Sequence, residues 1–249
     1  MTDSLGWRKR IATIVPATNT IVEPDFHCMS FPGVTAHTGR VPLESVDLST
    51  DEAIAGLIRQ VRADLFSSLH RLLAVRPDTV VLGLSLESFF PDPDDETARL
   101  NDYLASHGIA FVEAGDALGA AFRALGKIER VAVLTPYRSE ANEMVRRFFT
   151  SEFGVEVVAL QAVDCPTAHS IAEVSEDQLR YELIALDKTN PDVIVQSGTN
   201  LSMIRLADEA ERWFERPVLA MNAVLWWRAL RVSKVEDQKS GFGILLREY

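Results

Sequence analysis

Cysteine is scarce in this sequence, which has only Cys28 and Cys165 among its 249 residues. Two distant cysteines exclude a disulfide framework, and without CxxC or HExxH spacings nothing indicates a zinc site. Long apolar runs are missing too, since no segment approaches the ~20 apolar residues that a bilayer-spanning helix needs. The apolar stretch after the basic start MTDSLGWRKR is too short for a secretion signal. We therefore expect a cytoplasmic protein without membrane contact.

Basic charge is also in short supply, with 25 Lys and Arg residues against 36 Asp and Glu residues and a formal net charge of −11. This balance argues against nonspecific binding to nucleic acid or to anionic membranes. The phosphate-binding patterns GxxxxGK[ST] and GxGxxG do not follow any predicted strand, so no nucleotide loop is indicated. A small, locally positive pocket remains compatible with the composition.

Short β-branched runs alternate along the chain with longer segments of helical periodicity. Apolar runs of this length, bounded by turn residues, predict strands that are buried on both faces. The predicted strands cover 11–15, 79–83, 131–135, 155–160 and 193–197. The predicted helices cover 51–74, 95–106, 116–125, 138–152, 175–188, 200–213 and 221–231. The alternation predicts an α/β fold with mainly parallel strands flanked by helices.

Two sequence signatures occur twice, in the same order. RIATIVPATN at 10–19 resembles RVAVLTPYRS at 130–139, and RPDTVVLGLSL at 76–86 resembles NPDVIVQSGTN at 190–200. A Pro-Asp pair before a strand is a common turn, but two ordered matches at similar separations favour duplicated halves. We therefore predict two pseudosymmetric lobes. The first consists of 1–115 with the C-terminal tail 233–249, and the second of 116–232.

Small polar residues follow several of the predicted strands. In an open parallel sheet, ligands bind beyond the carboxyl ends of the strands, where helix N-termini offer free N–H groups to anions. Thr18 and Asn19 follow the first strand, and Thr199 and Asn200 follow the strand at 193–197, next to Gly198, which allows close backbone approach. Each polar residue can also serve only as a helix cap. The pattern predicts a carboxylate site between the two halves.

The segment IVPATNTIVEPDF at 14–26 resembles the strand-Pro-x-x-Asn-Thr-x-x-Glu signature of the aspartate/glutamate racemase superfamily, within its maleate cis-trans isomerase and arylmalonate decarboxylase branch. Further similar segments follow in the family's order: HTGR at 37–40, LTPY at 134–137, SGTNL at 197–201 and GFGILL at 241–246. The resemblance spans almost the whole chain. It implies two α/β lobes with an active site between them, a homo-oligomer, and neither a metal nor an organic cofactor.

The same resemblance places the two family cysteines at Leu84 and Gly198, so both thiols are absent here. In the branch, racemases and maleate isomerases have both thiols, and arylmalonate decarboxylases have the second one only. A thiolate can accept a proton or attack a substrate, whereas leucine and glycine side chains can do neither. Neither Cys28 nor Cys165 fits a family thiol position. Two-thiol racemisation and Cys-dependent isomerisation are therefore disfavoured.

The residues that remain predict a binding shell with few groups able to move a proton. The predicted catalytic residues are Tyr137, Ser85 and Glu87, and the predicted substrate-binding residues are Asn19, Gly198, Thr199 and Asn200. The resemblance implies that Tyr137 holds a substrate carboxylate or a developing enolate. Glu87 is a candidate general base if it is desolvated, or else a carboxylate favoured by the helix dipole in a first turn.

We expect a cofactor-independent enzyme that acts on a small carboxylic or dicarboxylic acid, as an isomerase or a decarboxylase, through an enolate-like intermediate. Donors around the developing charge can lower the barrier without a thiol. The alternative is a noncatalytic or regulatory carboxylate-binding protein that keeps the cleft. An unrelated hydrolase is weaker, because Ser85 lacks a GxSxG elbow.

Overall fold

The computed structural model describes residues 3–44, 47–90, 92 and 95–249, in which strands and helices alternate. The strands are β1 (Lys9–Pro16), β2 (Val34–Val41), β3 (Thr79–Leu82), β4 (Ala110–Val112), β5 (Arg130–Thr135), β6 (Glu156–Ala162), β7 (Val193–Gln196) and β8 (Val218–Ala220). The helices are α1 (Val22–Met29), α2 (Asp51–Leu72), α3 (Ser85–Phe89), α4 (Glu96–Ser106), α5 (Ala114–Leu125), α6 (Ser139–Phe153), α7 (Glu176–Asp187), α8 (Ile204–Phe214), α9 (Met221–Val232) and α10 (Ile244–Glu248).

The strands form two four-stranded sheets of the same design. The first has the order β2-β1-β3-β4 and the second the order β6-β5-β7-β8, and all neighbouring strands are parallel. In each sheet the first strand of the repeat lies at the centre, beside the strand that carries the Pro-Asp signature. The predicted α/β fold of two similar halves is confirmed.

The Pro-Asp signature has one structural role in both halves. The Asp78 carboxylate accepts a hydrogen bond from the backbone N–H of Arg10 at 2.9 Å, and the Asp78 N–H donates to the Arg10 carbonyl at 2.8 Å. Asp192 makes the equivalent pair of bonds to Arg130, each at 2.8 Å. Each aspartate therefore fixes where the central strand of its sheet begins. The repeated sequence thus corresponds to the same pair of hydrogen bonds, once between the start of β1 and Asp78 before β3, and once between the start of β5 and Asp192 before β7.

The sequence patterns do not predict three of the strands, namely β2, β4 and β8. The β2 segment, VTAHTGRV, is an edge strand with several half-buried polar residues, so it lacks the continuous apolar run of a central strand. The other two have only three residues each, too few to show a period. These three edge strands are identified by their neighbours more than by their own residues, whereas the fourth, β6, has a β-branched run of its own.

The segment after α9 returns to the first sheet. The hydroxyl of Ser233 lies 2.6 Å from that of Thr79 in β3, and Arg8 forms an ion pair with Asp237. However, α9 itself packs on β3 and β4 as well as on β8. The division into 1–115 with 233–249 and into 116–232 therefore stays a proposal, and residues 1, 2, 45, 46, 91, 93 and 94 of the first lobe lie outside the described residues. No helix in the described part of the chain is long and apolar enough to cross a membrane.

Candidate functional site

A small pocket, with a cavity volume of about 40 Å³, lies between the two sheets, at the carboxyl ends of their central strands. Pro16, Thr18 and Asn19 reach it after β1, and Tyr137 reaches it after β5. The turns after β3 and β7 complete it with Leu84, Leu86 and 198–200. The structure thus brings Asn19, Tyr137, Gly198, Thr199 and Asn200 together, as the placement of the candidates at strand ends predicts.

Most of the pocket wall is aliphatic. The apolar lining side chains are Leu43, Leu48, Leu57, Leu84, Leu86, Ala168 and Ile171. The described lining residues include no acidic, basic, histidine or cysteine side chain. Any hydrogen bond to a ligand there must come from neutral side chains or from the backbone. In a surrounding of low dielectric, such bonds to an anion are stronger than in water.

Asn19 and Asn200 are capping or bridging residues as well as lining residues. The Asn19 side-chain oxygen accepts hydrogen bonds from the N–H groups of Ile21 and Val22, at 3.0 and 2.9 Å, at the start of α1. The Asn200 side-chain oxygen accepts from the N–H of Thr20 at 3.0 Å, and its amide donates to the Ala168 carbonyl at 2.9 Å. Asn200 therefore links the site loop of one half to that of the other.

Tyr137 and Ser85 form a buried hydroxyl pair across the two halves, with their oxygens 3.4 Å apart. Ser85 donates to the backbone carbonyl of Ser197, so its hydrogen is already used. Burial raises the pKa of Tyr137 to about 12. The phenol therefore stays protonated near neutral pH. Because the Ser85 hydrogen goes to Ser197, the Tyr137 hydroxyl is the donor within this pair, and it must turn from Ser85 to donate to a bound oxygen. Ser85 itself lies behind the pocket wall and supports Tyr137.

Five pocket residues in the turns directly after β1, β3 and β7 have backbone N–H groups without an acceptor among the described residues. They are the N–H groups of Thr18, Leu84, Gly198, Thr199 and Asn200. Unpaired N–H groups are costly inside a protein unless a ligand or water satisfies them. Thr18 and Leu84 belong to the first half and the other three to the second, so both sides of the pocket have residues of this kind.

The two positions that the family resemblance assigns to thiols face the same pocket. Leu84 and Gly198 both line it. The backbone at Gly198 is packed against Pro136, because a Cβ built on Gly198 would lie 2.7 Å from Cγ of Pro136 and 2.9 Å from its Cδ. A side chain at 198 thus requires the turn or the proline to move.

Comparison with known proteins agrees with this geometry. Residues 12–246 match the family model described as arylmalonate decarboxylase. The chain belongs to the arylmalonate decarboxylase family. Among proteins with curated descriptions, none matches this sequence.

Several solved structures share the fold of this arylmalonate decarboxylase family member. A Nocardia farcinica maleate cis-trans isomerase mutant with a covalently bound succinylcysteine intermediate has a TM-score of 0.82 at 21% identity, over 97% of this chain and 99% of that one. A maleate isomerase mutant of Pseudomonas putida S16 with maleate has a TM-score of 0.84 at 21% identity, over 96% and 97%. A double mutant of arylmalonate decarboxylase in a liganded form has a TM-score of 0.79 at 23% identity, over 97% and 100%. At these identities the likeness shows the fold alone.

Glu87 does not join the other candidates. Its carboxylate forms an ion pair with Arg62, and Glu87 lines a separate cavity bounded by Glu113, Asp116 and Phe148 among others. Burial raises the pKa of Glu87 despite the hydrogen bond from Arg62. Glu87 is not among the described residues that line the pocket with Tyr137. The predicted role of Glu87 as a general base therefore has no geometric support in this pocket.

Neither cysteine lines the pocket. Cys28 is exposed, and Cys165 is buried beside the Tyr137 region, where burial raises its thiol pKa to about 11. A thiol with so high a pKa is not a thiolate at neutral pH. The described residues contain no group of three His, Cys, Asp or Glu side chains placed to hold a metal ion.

Sequence patterns do not identify five of the seven apolar side chains in the pocket wall. Leu43 and Leu48 precede α2, Leu57 belongs to its apolar face, and Ala168 and Ile171 lie in the loop after β6. Apolar side chains in these places look like ordinary core residues. The loops meet through an antiparallel bridge between Asp47 and Thr167, and the N–H of Leu48 donates to the carbonyl of Pro166 at 2.8 Å. This contact between halves carries no sequence signature.

Proposed function

We propose that this protein is a decarboxylase of small dicarboxylic acids that carry an aliphatic substituent, acting through an enolate-like intermediate. The observation that carries the proposal is the group of five unpaired backbone amides, together with the Tyr137 hydroxyl, in an otherwise aliphatic pocket. Neutral donors on both sides of a pocket can hold one carboxylate of a substituted malonate. They can also stabilise the charge that its oxygens gain when the other carboxylate leaves.

The reaction needs no nucleophile from the protein. The bond between the central carbon and the departing carboxylate breaks, its electron pair moves into the retained carboxylate, and CO2 leaves. The resulting enediolate carries more negative charge on its oxygens than the substrate does at that group, so each donor binds it more strongly than the substrate. One such donor is typically worth ~3 kcal/mol of barrier. Water or the Tyr137 hydroxyl then supplies the proton to carbon.

The aliphatic wall favours the loss of CO2. A carboxylate without hydrogen-bond donors in an apolar surrounding has a raised free energy, whereas neutral CO2 does not. The leucines that line the pocket also suit an alkyl group on the central carbon. Isomerisation through a covalent cysteine adduct, such as the succinylcysteine intermediate of the Nocardia farcinica isomerase mutant, has no counterpart here because Leu84 and Gly198 provide no thiol.

A panel of malonates in deuterated water tests the proposal. Methyl-, isobutyl- and phenylmalonate are incubated with the protein, and the appearance of the α-deuterated monoacid is followed by proton NMR. We expect faster CO2 loss from an alkylmalonate than from the protein-free solution. Maleate serves as the control for isomerisation, and no fumarate should form.

A second function has one specific observation in its favour. The described pocket residues include no side chain that titrates near pH 7, so the pocket is also suited to binding a carboxylate without changing it. Raised thermal stability with the malonates, but no deuterated product from any of them, would establish a binding protein and refute the decarboxylase.

We also propose that the protein is a cytoplasmic homo-oligomer, as its family resemblance implies. Large side chains on the α7 and α8 surface support a subunit contact, since Tyr181 is 73% exposed and Trp213 is 44% exposed. Light scattering after gel filtration tests the oligomer, and a single-chain mass of 27.6 kDa would contradict it.

A further inference from the structure

The turn after β7 contains three of the five residues with unpaired N–H groups. Two buried side-chain amides, of Gln196 and Asn222, donate hydrogen bonds to carbonyl groups of this turn. The side-chain amide of Gln196 donates to the carbonyl of Gly198. The side-chain amide of Asn222, in the first turn of α9, donates to the carbonyl of Thr199 at 3.0 Å. Gln196 is 1% exposed and Asn222 is 2% exposed, so both bonds are shielded from water.

These two bonds, with a third from the Leu201 N–H to the Gly198 carbonyl at 3.3 Å, hold two peptide groups in place. In a trans peptide, the carbonyl of one residue and the N–H of the next point in opposite directions, and the described backbone has no cis peptide. A Gly198 carbonyl held towards Gln196 therefore turns the Thr199 N–H the other way. A Thr199 carbonyl held towards Asn222 does the same for the Asn200 N–H. Thr199 and Asn200 both line the pocket.

Asp25 fixes which way Asn222 faces. The Asp25 carboxylate accepts the second hydrogen of the Asn222 amide at 2.8 Å, so that amide donates to both Asp25 and the Thr199 carbonyl. A carboxylate can only accept, and a flipped Asn222 would place its oxygen against two other oxygens. The Asn222 oxygen has no partner among the described residues, which is the cost of this orientation.

We propose that Asn222 and Gln196, with Asp25 as the anchor of Asn222, are positioning residues that aim the Thr199 and Asn200 N–H groups at the pocket. The inference rests on one part of the proposed function, namely that this pocket binds the carboxylate of the substrate. Asp25 belongs to α1 of the first half and Thr199 to the second, so the arrangement makes one half determine the donors of the other.

A buried carboxylate is an expensive way to stabilise a fold. Asp25 is 7% exposed, and its pKa is raised to about 6 because burial outweighs the hydrogen bond from Asn222 and the attraction of Arg205. A residue that served only stability would be replaced with little loss by a neutral one. If Asp25 instead orients Asn222, it must remain a group that only accepts hydrogen bonds, as a carboxylate does.

The test uses the full-length protein labelled with ¹⁵N, and methylmalonate as the probe. In Asn222→Leu we expect the amide signals of Thr199 and Asn200 to shift while that of Leu84 does not. Methylmalonate affinity should fall about tenfold, the change expected from one weakened donor. Asn101→Leu, on the exposed surface of α4, is the matched control and should alter neither.

Asp25→Asn provides the second variant, because it keeps the volume and is the safer substitution for folding. We expect methylmalonate affinity to fall roughly threefold, as a neutral acceptor holds Asn222 less firmly, while Tm at pH 7.5 rises. A fall in Tm with unchanged affinity would assign Asp25 to stability and overturn the proposal. So would a folded Asn222→Leu protein with unchanged Thr199 and Asn200 signals.

The two proposals fail separately. If the wild-type protein binds methylmalonate but releases no CO2, the decarboxylase proposal is refuted. The positioning role is then tested by methylmalonate affinity and by the amide signals of Thr199 and Asn200. If turnover is found, Asn222→Leu should lower kcat by a larger factor than it raises KM, because the aimed amides bind the enediolate more strongly than the substrate.

Discussion

The two halves of the pocket are built on the same strand order but contribute different chemistry. The first half supplies most of the aliphatic wall, through Leu43, Leu48, Leu57, Leu84 and Leu86. The second half supplies the Tyr137 hydroxyl and three of the five unpaired amides, at 198–200. A duplicated scaffold has therefore diverged at its strand ends into an apolar face and a donor face. One ligand bound between them meets both.

Each of the turns after β3 and β7 has one glycine with no room for a side chain. The position of this glycine explains part of the difference between the two halves. By the internal repeat, Leu84 corresponds to Gly198, and Gly83 corresponds to Ser197. In the first turn the close approach falls at Gly83, where an added Cβ would lie 2.7 Å from Cγ1 of Val15. In the second turn it falls at Gly198, against Pro136. The position that faces the ligand is thus open to a side chain in the first half and closed in the second.

Removal of the strongest donor in the second half should have the largest effect on turnover. Tyr137→Phe keeps the ring of this pocket residue but deletes its hydroxyl. We expect kcat for the best malonate to fall ~10²–10³-fold, the usual loss for one donor to a developing oxyanion. Steady-state kinetics measure this. Retention of more than a third of the wild-type kcat would assign the donor role to the backbone amides alone.

Asp25 should make the stability of the fold depend on pH. Its pKa is raised from 3.8 to about 6 in the folded protein, mainly by burial. The folded state then holds the proton more tightly than the unfolded state, so stability falls as pH rises from about 4 to 6. At pH 7 the loss amounts to roughly 2–3 kcal/mol.

Urea unfolding at pH 4 and at pH 7.5 measures this contribution. Asp25→Asn should be more stable than the wild type at pH 7.5 and no more stable at pH 4. An equal difference at both pH values would mean that Asp25 is not the group that titrates in this range.

Alanine at the two corresponding turn positions should have opposite consequences. Gly198→Ala places a Cβ 2.7 Å from the Pro136 ring, and we expect a loss of ~1–3 kcal/mol of unfolding free energy from overpacking, with a loss of turnover. Leu84→Ala removes volume from the apolar face and should instead let larger alkylmalonates react. Chemical unfolding and the malonate panel compare the two variants. A Gly198→Ala protein with full stability and activity would show that the turn has room for a side chain.

Sequence patterns predict the central strands, the duplication and the strand-end residues of this protein, because buried parallel strands and the turns after them have local signatures. They do not predict β2, β4 and β8, which depend on a neighbouring strand. They also place Glu87 near the site, because it follows Leu84 by three residues. The structure turns its side chain to Arg62, since the direction of a side chain on a short helix depends on tertiary packing. The Asn222 contact with Asp25 joins residues 197 positions apart, and no local pattern contains it.

The hydrogen bonds of Asp78 and Asp192 at the strand starts allow the test with the smallest expected effect. The two halves should respond alike. Asp78 and Asp192 each hold the start of a central strand through a backbone N–H. Both lie at the end of the sheets opposite the pocket. We expect Asp78→Asn and Asp192→Asn each to lower unfolding free energy by about 1 kcal/mol, because a neutral acceptor replaces a charged one, and to leave KM unchanged. A large effect from only one of them would show that the repeated signature no longer has the same role in both halves.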